Sequence, residues 1–221
     1  MSMSVRSIAA AGLALAAMVS AAGAQSVTMN TGAYSYGQGG EFNATPSGFP
    51  YVPARLGLTP YFETFCLERS EQFSPGSTYS VTIDTYASGG GGGAIAGQDP
   101  LDDRSAYLYS LFINGTLPGY DYSNMLGLRQ ANAGALQNVF WYIEEEVATL
   151  DTPEAVAYYA ISAGGIGQGI DGVRVMNLFT QDQAGAITLN QSMLVKFNDI
   201  PAPAGASVLG LAAVGALRRR R

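Results

Sequence analysis

Apolar and polar residues alternate along Val27-Thr28-Met29-Asn30 and Ala33-Tyr34-Ser35-Tyr36, and again from Thr78 to Tyr86. Successive side chains of an extended chain point to opposite faces, so a period of two predicts strands with one face dry. Two strands and a turn are expected over 26–45, with Gly37, Gly39 and Gly40 between them. After a loop punctuated by Pro46, Gly48, Pro50 and Pro53, a strand is expected over 61–67. Its hairpin partner is expected over 78–86, across Ser74-Pro75-Gly76-Ser77.

Beyond Asp99-Pro100 the period lengthens. Ala106, Tyr109, Leu111, Phe112 and Ile113 recur at near-helical spacing until Gly115 and Pro118, which predicts a helix opening at Asp102. Asp102 and Asp103 suit a helix N-terminus, where negative charge is favoured. With Asp99 they could ligate Ca²⁺, but no EF-hand spacing is present and capping is the commoner use. The strongest helix is expected from about Asn124 to Ala148. Leu136, Val139, Phe140, Ile143 and Val147 form its apolar face, and Glu144, Glu145 and Glu146 point to solvent. Gln137 lies one turn before Trp141, the only tryptophan, and is expected to point inward, where its amide needs partners. A third helix is expected from Pro153, placed in a first turn after Asp151-Thr152, to Ala163. Strands return over 173–180 and 188–197. The expected fold class is therefore α+β: an antiparallel β-sandwich or barrel with a helical insertion in the middle of the chain. Its strands lie over 26–86 and 173–197, and its helices over 101–163. Gly89 to Gly93 lacks the Lys-Ser or Lys-Thr ending of a phosphate loop and reads as a flexible connector.

Both ends depart from this pattern. Residues 1–24 combine Arg6, an apolar run from Ile8 to Val19 and the small residues Ala22-Gly23-Ala24, which predicts a secretory signal peptide cleaved after Ala24. The domain is then expected over 25–199. Residues 200–221 carry Pro201, Ala202 and Pro203, an apolar run from Ala206 to Leu217, and Arg218, Arg219, Arg220 and Arg221. That run is short for a hydrocarbon core of about 30 Å, and the basic end would stay cytoplasmic, so a transient membrane anchor or a processing signal is expected.

Charge and composition narrow the function. All 17 acidic residues lie between Glu41 and Asp199, where only Arg55, Arg69, Arg104, Arg129, Arg174 and Lys196 oppose them. Such a field argues against a nucleic-acid partner. Histidine is absent, which removes the usual general base and the commonest metal ligand. No cofactor is indicated. A hydrolase built on Glu63 and Glu68 has no supporting spacing, and the chain is not expected to be an enzyme.

The one cysteine, Cys66, lies in Phe62-Glu63-Thr64-Phe65-Cys66-Leu67-Glu68. An exported lone thiol cannot form an internal disulfide and is open to oxidation unless hidden or occupied. Either it is buried between Phe65 and Leu67, or its sulfur is bonded to a group other than sulfur.

Two resemblances bear on that choice. Residues 200–221 resemble the PEP-CTERM sorting tails of Gram-negative bacteria, with Ala202 where the name-giving glutamate stands. The body resembles the thioester domains of bacterial surface adhesins. Phe65-Cys66-Leu67 is similar to their cysteine motif. Leu136-Gln137-Asn138-Val139-Phe140-Trp141 is similar to a central Thr-Gln-x-Ala-apolar-Trp motif, with Leu136 and Val139 substituted. Asn190-Gln191-Ser192-Met193-Leu194-Val195 is similar to a late apolar-Gln-x-x-apolar motif, with Asn190 substituted. The resemblance implies an internal thioester between Cys66 and a glutamine, Gln191 ahead of Gln137. Gln137 and Trp141 would support it, and Phe65, Trp141 and Tyr142 would shield it from water. It further implies a cell-surface adhesion protein, exported through the inner membrane, handled by sorting machinery there, and attached covalently to lysine amines. The alternative is a non-reactive structural or matrix protein whose Cys66 is merely buried.

Overall fold

Val27 and Met29 are fully buried while Thr28 and Asn30 keep partial access to solvent, so the period of two yields a strand with one dry face. The computed structural model describes residues 25–48 and 60–197. Residues 1–24 with the cleavage position Ala24, residues 49–59, and the tail with Pro201, Ala202, Pro203 and Arg218 to Arg221 lie outside the described residues.

The elements run β1 (Ser26–Tyr36), β2 (Gly39–Ser47), β3 (Phe62–Thr64), β4 (Thr78–Asp84), β5 (Tyr86–Ser88), β6 (Gln98–Pro100), α1 (Asp103–Ile113), α2 (Arg129–Ile143), α3 (Pro153–Ser162), β7 (Val173–Gln181) and β8 (Ile187–Lys196). Six strands form one antiparallel sheet in the order β3-β2-β1-β4-β7-β8, and β5 and β6 pair beside it. The fold is α+β with the helices inserted between strands, as the periodicity predicts. It is neither a two-sheet sandwich nor a closed barrel. The sheet curls until its edges touch at one bridge, Cys66 to Met193, where Leu67 N–H donates to Ser192 O (2.9 Å) and Leu194 N–H to Phe65 O (3.0 Å).

Strand pairing departs from expectation at β4. It lies between β1 and β7 and does not form a hairpin with the segment that carries Cys66. The turn before β4 is captured by β1: Gly76 N–H donates to Met29 O (2.7 Å) and Met29 N–H to Ser77 O (3.0 Å). The Cys66 segment is thereby left to the far edge, against β2 and β8.

Helix α1 is capped as predicted, with Asp102 Oδ1 accepting from Arg104 N–H at 2.7 Å. Thr152 caps α3 through Ala155 N–H. Helix α2 is shorter than its pattern. Asp121 Oδ2 accepts from Leu126 and Leu128 N–H, and Asn124, in the left-handed region (φ 55°), accepts from Arg129 N–H, so side chains hold residues 121–128 in turns. At the other end Glu145 turns left-handed (φ 62°). The Glu144–Glu146 run does not lie wholly in solvent as expected: Glu144 is buried, Glu145 is exposed, and Glu146 accepts from Gly92 and Arg69 N–H.

Helices α1 and α2 pack against the sheet. Phe65 packs there against Phe112 (ring centroids 4.9 Å apart, T-shaped) and Phe140 (5.3 Å). A buried ionic network ties α2 to β2: Arg129 Nε and one Nη reach the two Glu41 oxygens at 2.7 and 2.6 Å, and Tyr120 donates to the same carboxylate. Among the described residues, no helix is long and apolar enough to cross a membrane.

Candidate functional site

Cys66 and Met193 form a non-hydrogen-bonded antiparallel pair, because the flanking residues supply the two bonds. Such pairs bring side chains closest, and a residue two positions along the partner strand stands diagonally opposite on the same face. For Cys66 that diagonal residue is Gln191. Both are only 2 % exposed, and both line one cavity of about 240 Å³. Thr31, Gln38, Phe42, Glu68, Arg69, Glu71, Phe73 and Trp141 are among its other walls.

The same pairing leaves Cys66 with backbone groups pointing away from β8, where no strand runs beside it, since the β2–β3 ladder ends at Phe42 and Thr64. Gln137, from α2, fills that gap. Its Oε1 accepts from Cys66 N–H at 3.1 Å and its Nε2 donates to Cys66 O at 2.7 Å. One buried amide thus stands in for a neighbouring strand, which satisfies both the backbone and itself.

Gln137 reaches Cys66 by passing over Gly39. A Cβ added at Gly39 would stand 2.3 Å from Gln137 Cγ and 3.0 Å from Trp141 Cη2. Gly39→Ala is expected to lower folding stability by roughly 1–3 kcal/mol, the ordinary cost of overpacking. Urea unfolding checks this; an unchanged midpoint would show that Gln137 yields freely.

The sequence-predicted site residues divide. The structure brings Cys66, Gln191 and Trp141 to one cavity, and Gln137 to the Cys66 backbone. Phe65 faces the helices instead, because it alternates with Cys66 along the chain, and Tyr142 packs edge-on to Tyr159 at 5.1 Å. Neither is among the residues lining the cavity; Phe42 and Phe73 supply the other aromatic walls, in a T-shaped pair at 5.0 Å. Arg69 places its guanidinium 5.9 Å from the Trp141 ring centroid. Gln191 Nε2 donates to Glu68 O at 2.5 Å.

Two carboxylates, Glu68 and Glu71, line the cavity, which their sequence spacing does not foretell. Glu68 is fully buried beside Glu146, and burial, with the neighbouring Glu146 and Glu71, raises its pKa well above the carboxylate range. Burial likewise pushes Glu71 up to about 7, against the hydrogen bond its Oε2 accepts from Ser192 N–H (3.0 Å), and pushes Asp99 up to about 6. The Cys66 thiol is driven well above its ordinary value, first by burial and then by Glu71.

The glycine run is packed on this cluster and is more than a connector. Gly92 N–H donates to Glu146 Oε1 at 2.5 Å, and a Cβ on Gly91 would fall 1.8 Å from Glu68 Oε2. Among the described residues, no group of three or more Cys, Asp or Glu side chains is arranged to hold a metal ion.

Protein-family models, curated proteins and solved structures yield no match to this chain.

The arrangement supplies the parts of an acyl transfer within the chain: a sulfur, a carboxamide diagonal to it, a second amide fixing the sulfur's backbone, and carboxylates able to carry a proton near neutral pH.

Proposed function

We propose that this chain is an exported surface protein that closes an internal thioester between Cys66 Sγ and the Gln191 side-chain carbonyl carbon, and spends it on covalent attachment to an amine. The thiol adds to the carbonyl, the carbonyl re-forms, and Nε2 leaves as ammonia. An incoming primary amine, such as a lysine side chain, later takes the acyl group as an amide and frees the thiol. The reaction is used once, so the protein is a reagent and not an enzyme. Export by residues 1–24 and retention or processing at the inner membrane through residues 200–221 belong to the same proposal.

The observation that carries it is the diagonal placement of Cys66 and Gln191 in one cavity. Gln191 is favoured over Gln137 as acyl donor because both ends of the Gln137 amide are engaged by the Cys66 backbone. A second reading, a non-reactive structural or matrix protein, draws support from the burial of Cys66 and from the bond between Gln191 Nε2 and Glu68 O.

Intact mass separates the two. The purified chain is expected to be lighter by one ammonia than its sequence. Methylamine should add to it and expose a thiol, and Cys66→Ala and Gln191→Ala should each abolish the deficit. A chain of unmodified mass whose thiol titrates on unfolding would leave only the structural role.

A further inference from the structure

A buried thiol with a raised pKa does not ionise unaided near neutral pH, and ammonia is a good leaving group only if a proton reaches its nitrogen. Thioester formation therefore needs a group that takes a proton on one side and returns it on the other. Histidine is absent, and the cavity offers carboxylates instead.

Glu71 and Glu68 both line the cavity with Cys66 and Gln191, but their carboxyl groups are engaged differently. Glu68 Oε2 lies against Gly91, beneath the glycine run. Glu71 Oε1 also lies against that run, at Gly89, but its Oε2 is pinned by Ser192 N–H, the residue after Gln191, and its charge helps raise the Cys66 thiol pKa. The fully buried Glu68 side chain meets Glu146 there, on the side of the glycine run.

We propose that Glu71 is the proton carrier of thioester formation: it accepts the Cys66 thiol proton as Sγ attacks the Gln191 carbonyl carbon, and delivers that proton to Nε2 as the C–N bond breaks. This rests on the thioester proposed above. One S–C bond forms, one C–N bond breaks, and the thiol hydrogen departs in ammonia, so Glu71 ends as it began and no oxidant or reductant is required. The charged and titratable groups around it are Cys66 and Glu68 on the segment after β3, Arg69 at the cavity wall, and Glu146 beyond α2. Burial holds Glu71 at about 7, where it can accept and give up a proton at neutral pH.

The test follows ammonia loss by intact mass in the full chain, recovered unfolded from inclusion bodies with Gln191 still an amide and then refolded. Glu71→Gln keeps an acceptor for Ser192 N–H and should fold, yet lose ammonia at least roughly 10²-fold more slowly than wild type, with Glu71→Asp recovering part of the rate. Equal rates in wild type and Glu71→Gln overturn the role of Glu71 and leave the thioester standing. Wild-type chain that never loses ammonia overturns the thioester itself. Should Glu71→Gln fail to fold, the wild-type rate against pH decides: a rise with a midpoint near neutrality and a plateau above it supports Glu71. A rise that follows thiol ionisation without levelling through the alkaline range overturns it.

Discussion

Arg129→Met is expected to lower folding stability by about 3–5 kcal/mol, the cost of breaking a buried ion pair from one side. Arg129 meets both oxygens of Glu41, which is almost wholly buried, donates to Tyr122 O at 2.8 Å, and lies 4.3 Å from the Tyr34 ring centroid. Methionine fills much of the volume but leaves the Glu41 carboxylate in a low-dielectric site with Tyr120 as its remaining donor. Replacing both charges, as in Arg129→Met with Glu41→Leu, should recover part of the loss, because the Glu41 desolvation cost disappears with its charge while Glu63, 3.4 Å from the same guanidinium, and the Tyr120 hydroxyl still lose a partner. Urea unfolding of the two single variants and the double variant checks this. Independent, additive losses would mean that the two charges are not coupled.

Stability is expected to fall as pH rises from about 5 to 8, opposite to the usual behaviour of paired carboxylates. Glu144 is 5 % exposed, and burial pushes it up to about 8 from an ordinary 4.5, against the pull of Ser105 and the Asp102 backbone. A carboxyl whose folded pKa is raised binds more protons folded than unfolded. Below its unfolded pKa it is neutral in both states and costs nothing; through the window up to its folded pKa the penalty of the buried charge accumulates. For Glu144 alone that penalty is on the order of 4–5 kcal/mol at the alkaline end. Glu68, Glu71 and Asp99 are shifted in the same direction and act in the same sense. Glu144→Gln should flatten the profile, read as the urea midpoint against pH. A midpoint that climbs steadily from pH 5 to 8 in wild type would show that these groups find compensation on ionising.

Local order was largely legible along the chain, because period and capping act within a few residues. The alternation around Val27 and Met29, the Asp102 and Thr152 caps and the first-turn Pro153 each describe a neighbourhood, and each element formed there. Helix α2 was overextended at its start because the side chains of Asp121 and Asn124 compete for backbone N–H groups that a helical pattern would assign elsewhere.

The tertiary structure alone decided what meets what. Nothing local tells β4 to choose β1 and β7 over the Cys66 segment, since strand pairing is settled by hydrogen bonds between residues far apart in sequence. The inward direction of Gln137 followed from helical spacing, but its use as a substitute strand follows only from the edge that β2 leaves open beside Cys66. The carboxylate cluster is likewise a product of folding, because Glu68, Glu71, Asp99 and Glu146 come from three separate stretches and meet only when the glycine run, having no side chains, lets them close.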